Sequence, residues 1–131
     1  VRSLILDAGA IAALDRNDRL AWALLRAAAE DDLPILVPSG AIARAWSEGA
    51  SQPLLARALT HCDEIALDGP AARAAGVMAR TTGITDVLDA SVAVTIAAAA
   101  RTGEVVVVTD NAKQVERLLQ FTDADPTIIE V

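Results

Sequence analysis

Aromatic residues are almost missing from this chain: Trp22, Trp46 and Phe121 are the only ones, and there is no tyrosine. The 53% hydrophobic content is therefore carried by Ala, Leu, Val and Ile, side chains small enough to let helices pack closely. There is one cysteine, Cys62, and its neighbour His61 is the only histidine. No internal disulfide can form, and no thiolate–imidazole zinc set can be assembled. Positive charge is also scarce, with 11 Lys and Arg against 18 Asp and Glu. The resulting net charge of −7 argues against a broad basic surface for nucleic acid. Long apolar runs are absent: Ala90 to Ala100 is about half of the ~20 residues a bilayer span requires. Without a basic-then-apolar leader pattern, the expectation is a soluble, cytoplasmic protein with no membrane partner. No Gly-Lys-Ser/Thr occurs, which excludes a P-loop. At 131 residues the chain is expected to form one domain, spanning 1–131.

What is present alternates. Leu4-Ile5-Leu6 reads as a buried strand ending on Asp7, and Ala8-Gly9-Ala10 turns into a helix. Trp22, Leu24 and Leu25 form the apolar side of a second helix. Ile35-Leu36-Val37 is a second strand. Pro38-Ser39 then starts a helix through Ile42, Arg44, Ala45, Trp46 and Glu48, closed by Gly49. Leu54 to Leu59 makes a short helix, Cys62 to Leu67 a weaker third strand, and Asp68-Gly69-Pro70 a turn before a helix over Ala71 to Ala79. Glu104 to Val108 is the fourth strand, followed by Thr109-Asp110-Asn111 and a helix carrying Val115, Leu118 and Leu119. Pro126 to Val131 closes the sheet. This order predicts an α/β, three-layer α/β/α domain around a parallel sheet of four or five strands.

The stretch Thr85-Asp86-Val87-Leu88-Asp89-Ala90 organises the rest. Its two carboxylates, three residues apart, share one face of a helix start. The helix behind them is apolar on every side and so buried, delivering both acids to the edge of the core. Two readings stand side by side. Acids in a first turn serve as caps and complement the helix dipole, and Asp7 caps its own helix in the same way. Alternatively, clustered carboxylates bind a hard divalent cation such as Mg²⁺ or Mn²⁺. Right-handed crossovers would bring Asp7, Asp86, Asp89 and Asp110 to one edge of the sheet, where ligands bind in such folds. Four carboxylates there repel, and a cation or a raised pKa relieves the repulsion.

With these residues in place the chain resembles a PIN domain, and more narrowly the ribonuclease toxins of VapBC-type toxin–antitoxin pairs. The resemblance runs from Leu4 to Ile11, through Val37-Pro38 and Thr85 to Ala90, to Val107-Val108-Thr109-Asp110. It implies Mg²⁺- or Mn²⁺-dependent cleavage of RNA, with Asp7, Asp86 and Asp89 as catalytic metal ligands completed by an acid after the fourth strand. Two departures stand out. Arg44 occupies the position where the family carries Glu, with Glu48 one turn on as a substitute only if the helix shifts. The acid's usual place in Thr-x-Asp is held by Asn111, with Asp110 one residue early; an amide oxygen still ligates a hard cation but adds no charge. Metal affinity is expected to be lower than for the full quartet.

Beside the acids, Arg44 is expected to contact the substrate phosphate or to pair with Asp89. As partners the resemblance implies RNA, a cognate antitoxin with a basic, Arg-bearing segment, and a second copy of the chain. For that homodimer Trp22, Leu25 and Leu55 are the apolar residues expected at the interface. Two other functions compete. A degenerate PIN fold would serve as a binding or regulatory module without hydrolysis, and a phosphatase would use Asp7 as nucleophile. The second lacks the acid two residues on, where Gly9 sits.

Overall fold

In the computed structural model, which describes residues 2–47 and 51–131, five strands form one parallel sheet. They are β1 (Arg2–Leu6), β2 (Ile35–Pro38), β3 (Asp63–Ile65), β4 (Glu104–Thr109) and β5 (Thr127–Glu130), in the order β3-β2-β1-β4-β5. From the centre of the sheet the chain order proceeds one way from β1 to β3 and the other way from β4 to β5. Right-handed connections therefore place helices on both faces, the three-layer α/β/α arrangement read from the sequence. The order of strands reverses between β1 and β4, whose register pairs Leu6 with Val108. Their carboxyl ends, Asp7 and Thr109, therefore open side by side at the switch point, the crevice where open α/β sheets bind ligands.

Seven helices lie among the described residues: α1 (Ala8–Asp15), α2 (Arg19–Glu30), α3 (Ser39–Ala45), α4 (Pro53–Leu59), α5 (Gly69–Thr82), α6 (Val87–Ala100) and α7 (Ala112–Leu119). None is long and apolar enough to cross a membrane. The core joins Ile5, Leu6, Val107 and Val108 of the central strands to Ile11 and Leu14 of α1 and Ile96 of α6. Ala90, Ala93 and Ala97 bury one long stripe of α6, with Ser91 and Val92 beside it. Such small side chains let this helix lie close to its neighbours, as dense cores require.

Several boundaries differ from the expectation. The third strand is only Asp63–Ile65: Cys62 still belongs to the turn after α4, its backbone N–H donating to the Leu59 carbonyl at 3.1 Å. The predicted turn at Asp68-Gly69-Pro70 is instead a helix start: Asp68 caps α5 through Ala71 N at 2.9 Å, and proline is tolerated in a first turn that lacks partners for its N–H groups. That helix runs on to Thr82 and ends on Gly83 in the left-handed conformation, φ 73. α3 stops at Ala45, so Trp46 lies beyond it; Glu48 and Gly49 fall outside the described residues.

The expected interface residues are in the wrong place for an interface. Trp22, Leu25 and Leu55 are 6%, 1% and 0% exposed. α2 turns Ala21, Trp22, Leu25 and Ala28 inward as one face, and the Trp22 indole N–H donates to the Leu14 carbonyl at 2.9 Å. Leu55 and Ala58 bury the inner side of α4. Among the described residues, the large apolar side chains most exposed to solvent are Leu20, Trp46, Leu67, Val77, Val87 and Phe121.

Candidate functional site

Asp7 follows β1 and starts α1. One oxygen, Oδ1, caps the helix by accepting from Ala10 N at 2.9 Å. The carboxylate also receives a hydrogen bond from the buried Thr109 side chain, whose oxygen in turn accepts from Asn111 N at 3.0 Å. Burial pushes the Asp7 carboxyl up to about 6, with the nearby Asp110 and Asp89 charges adding to the rise and the Thr109 and Ala10 hydrogen bonds opposing it. A carboxyl drawn out of water behaves in this way, because desolvation penalises its charged form.

Asp110 arrives from the adjacent strand. Its carboxylate lies on the backbone of Gly9: a Cβ there would stand 2.0 Å from Asp110 Oδ1. Only glycine in the first turn of α1 admits that approach. Asn111, by contrast, caps α7, its Oδ1 accepting from Gln114 N at 3.2 Å. The Asn111 amide is thus engaged with the backbone, while Asp110 takes the position next to Asp7.

α6 supplies the other acids. Asp86 is its N-cap, with Oδ1 accepting from Leu88 N and Asp89 N at 3.0 and 3.2 Å. Asp89 Oδ2 accepts from Gln114 Nε2 at 2.6 Å, which ties α6 to α7. Arg44, at the end of α3, donates through Nη2 to Asp86 Oδ2 and brings Nε to 3.5 Å from Asp89 Oδ1. The expected pairing of Arg44 with Asp89 is present, and Asp86 shares it.

A cavity of about 290 Å³ gathers Asp7, Asp89, Asp110, Asn111, Arg44 and Gln114, walled behind by Val92, Ala93 and Ile96 of α6. Asp86 stands beside it, joined through Arg44. The donor set is all oxygen and therefore suits a hard cation rather than a soft one. As arranged, no three His, Cys, Asp or Glu side chains among the described residues stand close enough to hold a metal. The Arg44 guanidinium already lies on two of the acids. Capping and ligation are not exclusive here, since Asp7 spends only one oxygen on its helix. Sequence reading missed the parts played by Thr109, Gln114 and Gly9. A buried Thr closing a run of valines was a visible signal; Gln114 offered none.

No protein-family model matches the chain, and no curated protein does. Among solved structures, VapBC2 from Rickettsia felis, determined bound to a DNA fragment from their promoter, matches with a TM-score of 0.70. The match covers 100% of this chain and 99% of that one at 16% identity, a likeness of fold. The chain thus shares its overall fold with that solved structure, the α/β fold expected from the motifs.

Proposed function

We propose that this chain is a divalent-cation-dependent endoribonuclease of the VapC type, the toxin of a toxin–antitoxin pair acting in the cytoplasm. The observation that carries this reading is the meeting of Asp7, Asp89 and Asp110 in one cavity at the strand-order switch. Asp7, Asp89 and Asp110 would have to draw together to hold Mg²⁺ or Mn²⁺, with Asp86 and the Asn111 amide oxygen joining on rearrangement of their present partners. When bound, the cation supplies Lewis acidity toward the scissile phosphate of RNA. Gln114 orients Asp89, Thr109 orients Asp7, and Arg44 faces the phosphate entering the cavity, where a planar guanidinium binds two oxygens at once. Apolar Val92, Ala93 and Ile96 restrict water behind the acids.

Purified chain with Mn²⁺ is expected to cleave RNA, to stop on adding EDTA, and to lose activity in Asp89→Asn. That loss should exceed the roughly 10–100-fold that removing an outer-shell partner of a metal costs. A second reading, the same fold kept as a binding module without hydrolysis, rests on the double ion pair of Arg44 with Asp86 and Asp89. Absence of cleavage together with absence of Mn²⁺ binding in the parent would favour it.

The same acids suit a basic, Arg-bearing antitoxin segment, because a net charge of −7 attracts it and carboxylates accept bidentate bonds from it. A homodimer is expected as well, built on exposed apolar residues such as Trp46, Val77 or Val87 rather than on the buried Trp22, Leu25 and Leu55. Light scattering at high concentration should give twice the 13.6 kDa chain mass, and a monomer there would remove the dimer.

A further inference from the structure

Arg44 reaches the acids because α3 crosses α6 almost backbone to backbone. A Cβ on Gly40 would come within 2.2 Å of Ser91 Oγ and 3.2 Å of the Leu88 carbonyl. Arg44 lies four residues further along α3, one turn on the same face, and so is carried over the first turn of α6. There its guanidinium takes Asp86 Oδ2 at one nitrogen and approaches Asp89 Oδ1 with another.

The remaining oxygens of the two acids are occupied too. Asp86 Oδ1 accepts from the backbone of Leu88 and Asp89, and Asp89 Oδ2 accepts from Gln114. Three of the four oxygens therefore accept hydrogen bonds before any ligand arrives, and the fourth, Asp89 Oδ1, faces the Arg44 guanidinium. Of these donors, the cap N–H groups are fixed by the helix and Gln114 is anchored through Asn111. Arg44 is the one that can leave at little cost, since its side chain is 42% exposed and the acids it holds are 34% and 27% exposed.

We propose that Arg44 is an internal counter-ion that competes with a divalent cation for Asp86 and Asp89. Cation loading then requires the guanidinium to swing out, and the site is held in a self-neutralised state until it does. The inference rests on the reading of these acids as a cation site. On it, the residue standing in the family's Glu position sets how readily the site takes metal. Two partly exposed ion pairs each contribute modestly, which puts the competition at about tenfold in affinity.

Mn²⁺ affinity tests this, measured on the full chain by the electron paramagnetic resonance of free Mn²⁺, with thermal melts to confirm folding. Arg44→Gln is expected to bind Mn²⁺ about tenfold more tightly than the parent, the gain set by those ion pairs. Arg44→Lys, which keeps the charge but not the fork, should fall between them. Repeating Arg44→Gln in an Asp86→Asn background separates competition from a general field effect, because the gain should shrink when one of the contested carboxylates is gone. Equal affinity in parent and Arg44→Gln, or the same gain in both backgrounds, would overturn the competition while leaving the cation site in place. Failure of the parent, Arg44→Gln and Arg44→Glu alike to bind Mn²⁺ would overturn the cation site itself.

Discussion

Asp7→Asn is expected to abolish RNA cleavage while raising the stability of the folded chain at neutral pH. Most substitutions destabilise, so a gain in stability here points to the buried charge. The cap survives, because Asn accepts from Ala10 N about as well as Asp does. What disappears is a carboxylate whose folded pKa, about 6, stands above its ordinary 3.8. Between those values the native state holds a proton that the unfolded chain has released, so stability falls as pH rises through the window. Below pH 3.8 both states are protonated and the cost is absent; above pH 6 it is fully present. At about 1.4 kcal/mol per pH unit the cost is at most ~3 kcal/mol. Melts at pH 7.5 without metal should show Asp7→Asn several degrees above the parent, with the gap closing toward pH 4. Adding Mn²⁺ should stabilise the parent by mass action and move the variant much less. Unchanged cleavage in Asp7→Asn would reject a ligand role and leave only the cap.

Gly40→Ala is expected to damage both fold and site, although alanine is ordinarily the better helix residue. The added methyl would overlap Ser91 Oγ, which donates to the Leu88 carbonyl at 2.6 Å and cannot move without losing that bond. Overpacking of this kind costs about 1–3 kcal/mol, and the relief available is to lift α3 from α6. That motion carries Arg44 away from Asp86 and Asp89, so the melting temperature should drop while Mn²⁺ affinity, relative to folded protein, rises. Gly76→Ala is the control: a Cβ there meets nothing within 4 Å, in the middle of α5. It should stabilise by roughly 0.5–1 kcal/mol. Equal effects of the two substitutions would mean that the α3–α6 crossing is looser than its geometry shows.

The strands were legible because buried parallel strands read as unbroken apolar runs, as in Leu4 to Leu6 and Val105 to Val108. The acids were legible for a related reason: each follows a strand or opens an apolar helix, so its place in the chain already implies its place at the sheet edge. Contacts across elements were not. Nothing in Gly9 or Gly40 announces that Asp110 or Ser91 will press on it from far along the chain, and Gln114 looks like any exposed helix residue until Asp89 is found beside it. Trp22 illustrates the opposite failure. An aromatic on an amphipathic helix reads as a candidate contact for another molecule, yet its indole N–H finds the Leu14 carbonyl inside the same domain. Asp110 and Asn111 could be ranked only with the structure, since adjacent residues point different ways and one of them had to cap α7.

Crystals grown with Mn²⁺ and measured at the manganese absorption edge would show most directly whether Asp7, Asp89 and Asp110 share a cation. The expected result is one anomalous peak in the cavity between these carboxylates, with the Arg44 guanidinium turned away from Asp86 and Asp89. A cavity without a peak at saturating Mn²⁺, with Arg44 still on both acids, would contradict it.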